Sequence, residues 1–130
     1  MKVLDTSVLI DYGNGVDAAG KYLAAHDEEQ FFLPAPVYTE YLLGTVHSDA
    51  ATDVSEARRE LAWTAVVEIT EGIAVTAAEI ADEIGPEGPN LAAVDALVAA
   101  VGRELGAAVV SVDSDLTHEE TRAIVDVEGY

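Results

Sequence analysis

The stretch Leu91-Ala92-Ala93-Val94-Asp95-Ala96-Leu97-Val98-Ala99-Ala100-Val101-Gly102-Arg103-Glu104-Leu105-Gly106-Ala107-Ala108-Val109-Val110-Ser111-Val112-Asp113 decides the fold. Residues 91–105 carry apolar side chains at helical spacing, and Gly106 suits the left-handed position that closes a helix. Ala107 to Val112 then form an almost unbroken apolar run that ends at Asp113. A strand that is apolar on both faces belongs inside a parallel sheet covered by helices on each side. Moving upstream, Glu71 to Ile84 reads as a helix with Ile73, Ala77, Ile80 and Ile84 on one face, followed by the loop Gly85 to Asn90. Val66 to Ile69 reads as a strand, preceded by a charged helix that Asp49 or Thr52 caps and that ends near Trp63. Phe31 to Pro34 is a short strand, and Pro36 fits the first turn of a helix reaching about His47. At the start, Lys2 to Asp5 is a strand, and a short helix capped near Thr6 or Ser7 follows. A turn at Tyr12 to Gly15 comes next, and then a helix over Val16 to Ala25 with Tyr22 and Leu23 inward. Downstream, a last short helix and the run Ala123 to Val127 close the chain. Strands alternating with helices predict a three-layer α/β/α architecture with a mainly parallel central sheet, one domain over residues 1–130.

Composition limits what such a domain can do. The chain has 130 residues, 50% hydrophobic, with a net charge of -19 from 25 Asp+Glu against 6 Lys+Arg. A mean hydropathy of +0.20 is too apolar for a chain held open by charge repulsion. Bulk electrostatics of this sign repels nucleic acid and anionic membranes, so any polyanion the protein handles needs a bridging cation. The absence of cysteine excludes disulfides, thiolate metal sites and a cysteine nucleophile. Asp5 interrupts the N-terminus too early for a signal peptide, and no apolar run approaches the ~20 residues of a membrane span, so a cytoplasmic protein is expected. With only Lys2 and Lys21 as lysines and Ala and Val dominating the apolar set, most of the charge reads as the solvated surface of a halophile's protein.

Four acids stand apart from that surface. Asp5 and Asp113 fall at strand ends, where open α/β sheets bind ligands. Asp95, four residues after Leu91 and three before Val98, and Glu40, three after Val37, fall beside the inward stripes of their helices. Six basic residues are too few to neutralise such a cluster as well as the surface. Buried carboxylates without partners are either protonated or hold a cation. Oxygen ligands without Cys or paired His favour a hard cation such as Mg²⁺ or Mn²⁺. Arg58 and Arg59, amid Glu56 and Glu60, read as surface ion pairs with those acids. His26, His47 and His118 lie apart from the acidic motifs and are not assigned to catalysis.

Taken in order, these residues resemble the PIN domain, in particular the VapC toxins of type II toxin–antitoxin systems. Asp5-Thr6-Ser7-Val8-Leu9-Ile10 is similar to the family's opening motif, Glu40 to the glutamate of its second helix, and Asp95-Ala96-Leu97-Val98-Ala99-Ala100 to its aspartate helix. Ser111-Val112-Asp113-Ser114-Asp115-Leu116 is similar to its closing strand motif, with Ser111 where Thr is usual and Leu116 where Phe is usual. The resemblance implies a metal-dependent endoribonuclease in which Asp5, Glu40, Asp95 and Asp113 hold Mg²⁺ or Mn²⁺. Thr6, Ser7 and Ser111 would support carboxylates or phosphate by hydrogen bonds, and Asp115 would be an outer ligand or a helix cap. It also implies RNA as substrate, a VapB-like antitoxin, a homodimer and no membrane. Two other aspartate chemistries fit poorly. Asp113-Ser114-Asp115-Leu116-Thr117 brushes a phosphatase signature, but only 13 residues follow Thr117, and a phospho-receiver needs a lysine late in the chain, where none follows Lys21. A catalytically silent PIN-like binding module and a housekeeping RNA-processing nuclease are the alternatives to a toxin.

Overall fold

The protein is described by a computed structural model over residues 1–49 and 53–130. Among the described residues five strands, β1 (Lys2–Leu4), β2 (Phe31–Pro34), β3 (Thr64–Val67), β4 (Ala108–Val110) and β5 (Val127–Glu128), form one sheet in the order β3-β2-β1-β4-β5. Every pairing is parallel, and Leu4 lies in register with Val110. Seven helices connect them among the described residues: α1 (Thr6–Gly13), α2 (Asp17–Ala25), α3 (Ala35–Val46), α4 (Val54–Glu60), α5 (Glu71–Ile84), α6 (Ala93–Leu105) and α7 (Glu119–Arg122). Consecutive side chains of a strand point to opposite faces. Val3 and Leu4 in β1 and Val109 and Val110 in β4 are all fully buried, so both faces of the central sheet are covered, as the α/β reading requires. The edge strand β3 is only half buried, with Val66 open to solvent.

α6 packs on β1, β4 and α5, and Gly102 permits its close approach to the sheet. A Cβ at position 102 would stand 2.6 Å from Val109 Cγ2 and 3.2 Å from the Ala107 carbonyl. Gly106 ends α6 in the left-handed conformation (φ 62°), as its position after the helix predicted. Lys2 is the one buried cation among the described residues. Its Nζ lies 2.7 Å from Glu128 Oε1, and Tyr22 Oη donates to the other oxygen of that carboxylate, tying α2 and β1 to β5.

Several element boundaries differ from expectation. α1 continues through Tyr12 and Gly13, so the turn is confined to Asn14 and Gly15. β3 starts two residues earlier than expected, at Thr64 rather than Val66, because α4 ends at Glu60 instead of near Trp63. α4 is capped by Asp53, whose Oδ1 accepts from the Glu56 N–H at 2.7 Å, and not by Asp49; Thr52 lies outside the described residues. Trp63 lies in the turn just before β3 with its ring edge-on to Phe31.

Candidate functional site

The strand order reverses direction at β1. The chain leaves β1 for β2 and β3 on one side and returns to its other side for β4. The carboxyl ends of β1 and β4 therefore open a crevice at the switch point, where ligands bind in such sheets. Asp5 stands there as the residue between β1 and α1, only 4% exposed, with its N–H bonded to the Val110 carbonyl. Two hydroxyls donate to the same carboxylate oxygen, Asp5 Oδ2: Ser7 Oγ at 2.9 Å and Ser111 Oγ at 2.8 Å. Both serines also accept backbone N–H groups from the end of β4, Ser7 from Val112 and Ser111 from Asp113. The start of α1 is thus pinned to the end of β4, with Asp5 Oδ1 left unengaged among the described residues.

Asp113 is held in a similar way. Its Oδ2 caps the following turn by accepting from the N–H groups of Asp115 and Leu116, at 3.0 and 3.1 Å. Asp95 comes from the first turn of α6 and is partly buried. One carboxylate oxygen from each of Asp95, Asp113 and Asp115 lies within 4.8 Å of the others. Burial, and after it the charges of Asp113, Asp5, Asp115 and Glu40, push the Asp95 carboxyl up to about 6. Glu40 is raised as well, by partial withdrawal from water and then by Asp5.

The four predicted acids therefore share one electrostatic neighbourhood, but they do not all sit inward. Glu40 is exposed, because α3 turns it toward an open cleft rather than the core. That cleft, of ≈ 530 Å³, is walled by Thr6, Leu9, Glu40, Tyr41 and Glu60 among others. Thr6 Oγ1 is buried with no hydrogen-bond partner among the described residues, so it supports no carboxylate. Asp115 is not a helix cap: α7 is capped by His118, and the Asp115 carboxylate faces Asp95 and Asp113 instead. Tyr41 and Glu60 were not singled out in the sequence. Tyr41 Oη donates to Glu60 Oε2 at 3.0 Å and fixes α4 against α3 along the cleft. Their only sequence signal is the adjacency of Tyr41 to Glu40.

Among the described residues no cation pairs with this cluster. Lys2 binds Glu128 and Glu29, Lys21 binds Asp17, and Arg103 binds Glu83. The donor set is all oxygen and carries several negative charges. Its repulsion is already expressed in the raised carboxyl of Asp95, so the residues present fit a hard divalent cation.

The model of the PIN domain family matches residues 2–120. The chain belongs to the PIN domain family. The same fold appears in solved structures of low sequence identity. A toxin–antitoxin complex from Klebsiella pneumoniae shares 20% identity over 98% of this chain and 96% of that one, with a TM-score of 0.78. FitAcB from Neisseria gonorrhoeae shares 20% over 98% and 96%, with a TM-score of 0.80. The sarcin–ricin loop cleaving toxin VapC20 of Mycobacterium tuberculosis shares 23% over 96% of each chain, with a TM-score of 0.68. Comparison with curated protein sequences finds no match. Within this PIN domain Asp5 and Asp113 follow the carboxyl ends of β1 and β4, with Asp95 beside Asp113, and no helix among the described residues is long and apolar enough to cross a membrane.

Proposed function

We propose that this PIN domain is a metal-dependent endoribonuclease that hydrolyses RNA phosphodiester bonds, and that residues 1–130 act as one domain as the toxin of a toxin–antitoxin pair. The observation that carries the reading is the carboxylate group at the switch point, in which Asp95, Asp113 and Asp115 converge with Asp5 and Glu40 nearby and no cation among the described residues neutralises them. Asp5, Asp95, Asp113 and Glu40 are the residues that would hold Mg²⁺ or Mn²⁺, with Asp115 beside them. When bound, such an ion acidifies water and offsets charge on the scissile phosphate.

The chain's own residues account for the rest. Ser7 and Ser111 hold Asp5 by its Oδ2, and the turn from Asp113 to Leu116 holds Asp113 by its Oδ2, so that one oxygen of each is left for a cation. Asp95, raised to about 6, gives up its proton readily when positive charge arrives. Thr6, Glu40 and Tyr41 form the wall along which RNA lies. No side chain is required as nucleophile. A VapB-like antitoxin, a homodimer and a cytoplasmic setting in a halophile complete the proposal; the solved toxin–antitoxin complexes of the same fold support the first of these. The test is cleavage of single-stranded RNA at molar KCl with Mg²⁺ or Mn²⁺. The wild type cleaves, and Asp5→Asn and Asp95→Asn each lose at least about a hundredfold. Undiminished cleavage in both variants overturns the assignment, and RNA binding without cleavage by the wild type points to a silent binding module.

A further inference from the structure

Arg58 and Arg59 do not pair with their acidic neighbours Glu56 and Glu60. Among the described residues no carboxylate lies within 4.0 Å of either guanidinium. Glu60 is engaged by Tyr41 instead, while Arg58 Nε donates to Tyr38 Oη at 3.2 Å. In a chain with 25 acids against 6 bases, two adjacent arginines without a carboxylate partner are an unexpected arrangement. They line a cleft of ≈ 470 Å³ with Tyr38, Leu61, Thr64 and Val66, between α4 and the exposed edge strand β3.

This cleft and the one walled by Glu40 share no lining residue, but both take residues from α3 and α4. Tyr38 and Tyr41, three residues apart on α3, each anchor one charged residue of α4: Arg58 on one side, Glu60 on the other. We propose that the Arg58–Arg59 cleft is a second RNA subsite, which grips backbone phosphates of the strand whose scissile phosphate is held at the carboxylate cluster. It rests on the ribonuclease reading above. Guanidinium forks match phosphate oxygens, and Tyr38 lines the same cleft, a combination of arginine and aromatic residue that suits single strands without sequence preference. Over the rest of a surface at -19, a polyanion meets repulsion, so a local pair of free arginines sets the direction in which the strand leaves the catalytic cleft.

The experiment is fluorescence anisotropy of a labelled single-stranded oligoribonucleotide of about twelve nucleotides with the full chain in EDTA, across a range of KCl. The wild type is compared with the paired variants Arg58→Gln/Arg59→Gln and Arg58→Lys/Arg59→Lys. Loss of two phosphate contacts lowers affinity by about tenfold at low salt and flattens the slope of log K against log salt by about 1.4, at about 0.7 per contact on a single strand. The lysine pair keeps most of that slope. A glutamine pair with wild-type affinity and slope overturns the subsite. So does arginine-dependent binding of a glutamate decapeptide in place of RNA, which would assign the cleft to an acidic protein. Because EDTA removes divalent ions, this result is independent of the cleavage assay, whose failure would overturn the nuclease and leave the binding result standing.

Discussion

Ser111 has no exposure, yet it is polar, and its hydroxyl serves the site: Oγ donates to Asp5 and accepts from the Asp113 N–H, with Ser7 Oγ 3.4 Å away. Ser111→Ala removes the hydroxyl and leaves Asp5 Oδ2 to Ser7 alone, and residues that orient metal-binding carboxylates in this way typically matter about 10- to 100-fold. The expected outcome is a loss of that order in cleavage with Mg²⁺, with a smaller effect on RNA binding; equal rates would deny Ser111 this role. Asp95 gives a second test, in pH. Its carboxyl is raised in the folded protein from an ordinary 3.8 to about 6, mainly by burial and then by its acidic neighbours. The folded state therefore holds a proton that the unfolded chain has already lost. The stability this confers is full below pH 3.8, declines as pH rises through about 6, and is gone above it. Metal-free protein should melt at a higher temperature at pH 5 than at pH 7.5, and Asp95→Asn should narrow that difference. A gap of the same size in the variant would show that other groups govern the profile.

Among the elements, α6 carries Asp95 to the site, and its distance from the sheet is set at Gly102. Gly102→Ala would place a methyl 2.6 Å from Val109 Cγ2, an overpacking of the kind that costs about 1–3 kcal/mol. Chemical denaturation should show a loss of that size, with cleavage reduced because α6 shifts; an unchanged midpoint would mean that the core accommodates the methyl. This element was the most legible in the sequence, since helical spacing, Gly106 and the apolar strand after it all require the same layout. The N-terminal strand and Asp5 at its end were legible for the same reason. α4 was not. Its cap moved to Asp53, its end moved back to Glu60, and β3 began earlier, because a short charged helix beside an edge strand has little apolar periodicity to mark its limits. The direction of Glu40 was misread for a related reason. Spacing from Val37 places it near the buried stripe, but the cleft between α1 and α3 leaves that part of the helix open. The role of Asp115 depended on the shape of the turn after Asp113, which no spacing rule specifies.

For the whole molecule, a charge of -19 spread over 130 residues opposes compaction by self-repulsion. Raising KCl from about 0.1 M to about 1 M shortens the Debye length from ~10 Å to ~3 Å and should raise the melting temperature by several degrees. Circular dichroism across that range checks this, and a flat response would place the stability in the core and the Lys2–Glu128 pair instead. The same charge frames the account of function, since an acidic protein grips RNA through cations gathered at a few carboxylates and through the few arginines left free. The most direct test of that claim is calorimetric titration of Mn²⁺ into the wild type and Asp95→Asn at pH 7.5. The carboxylate centre predicts saturable binding by the wild type and at least a tenfold weaker affinity in the variant. Equal affinities would contradict it.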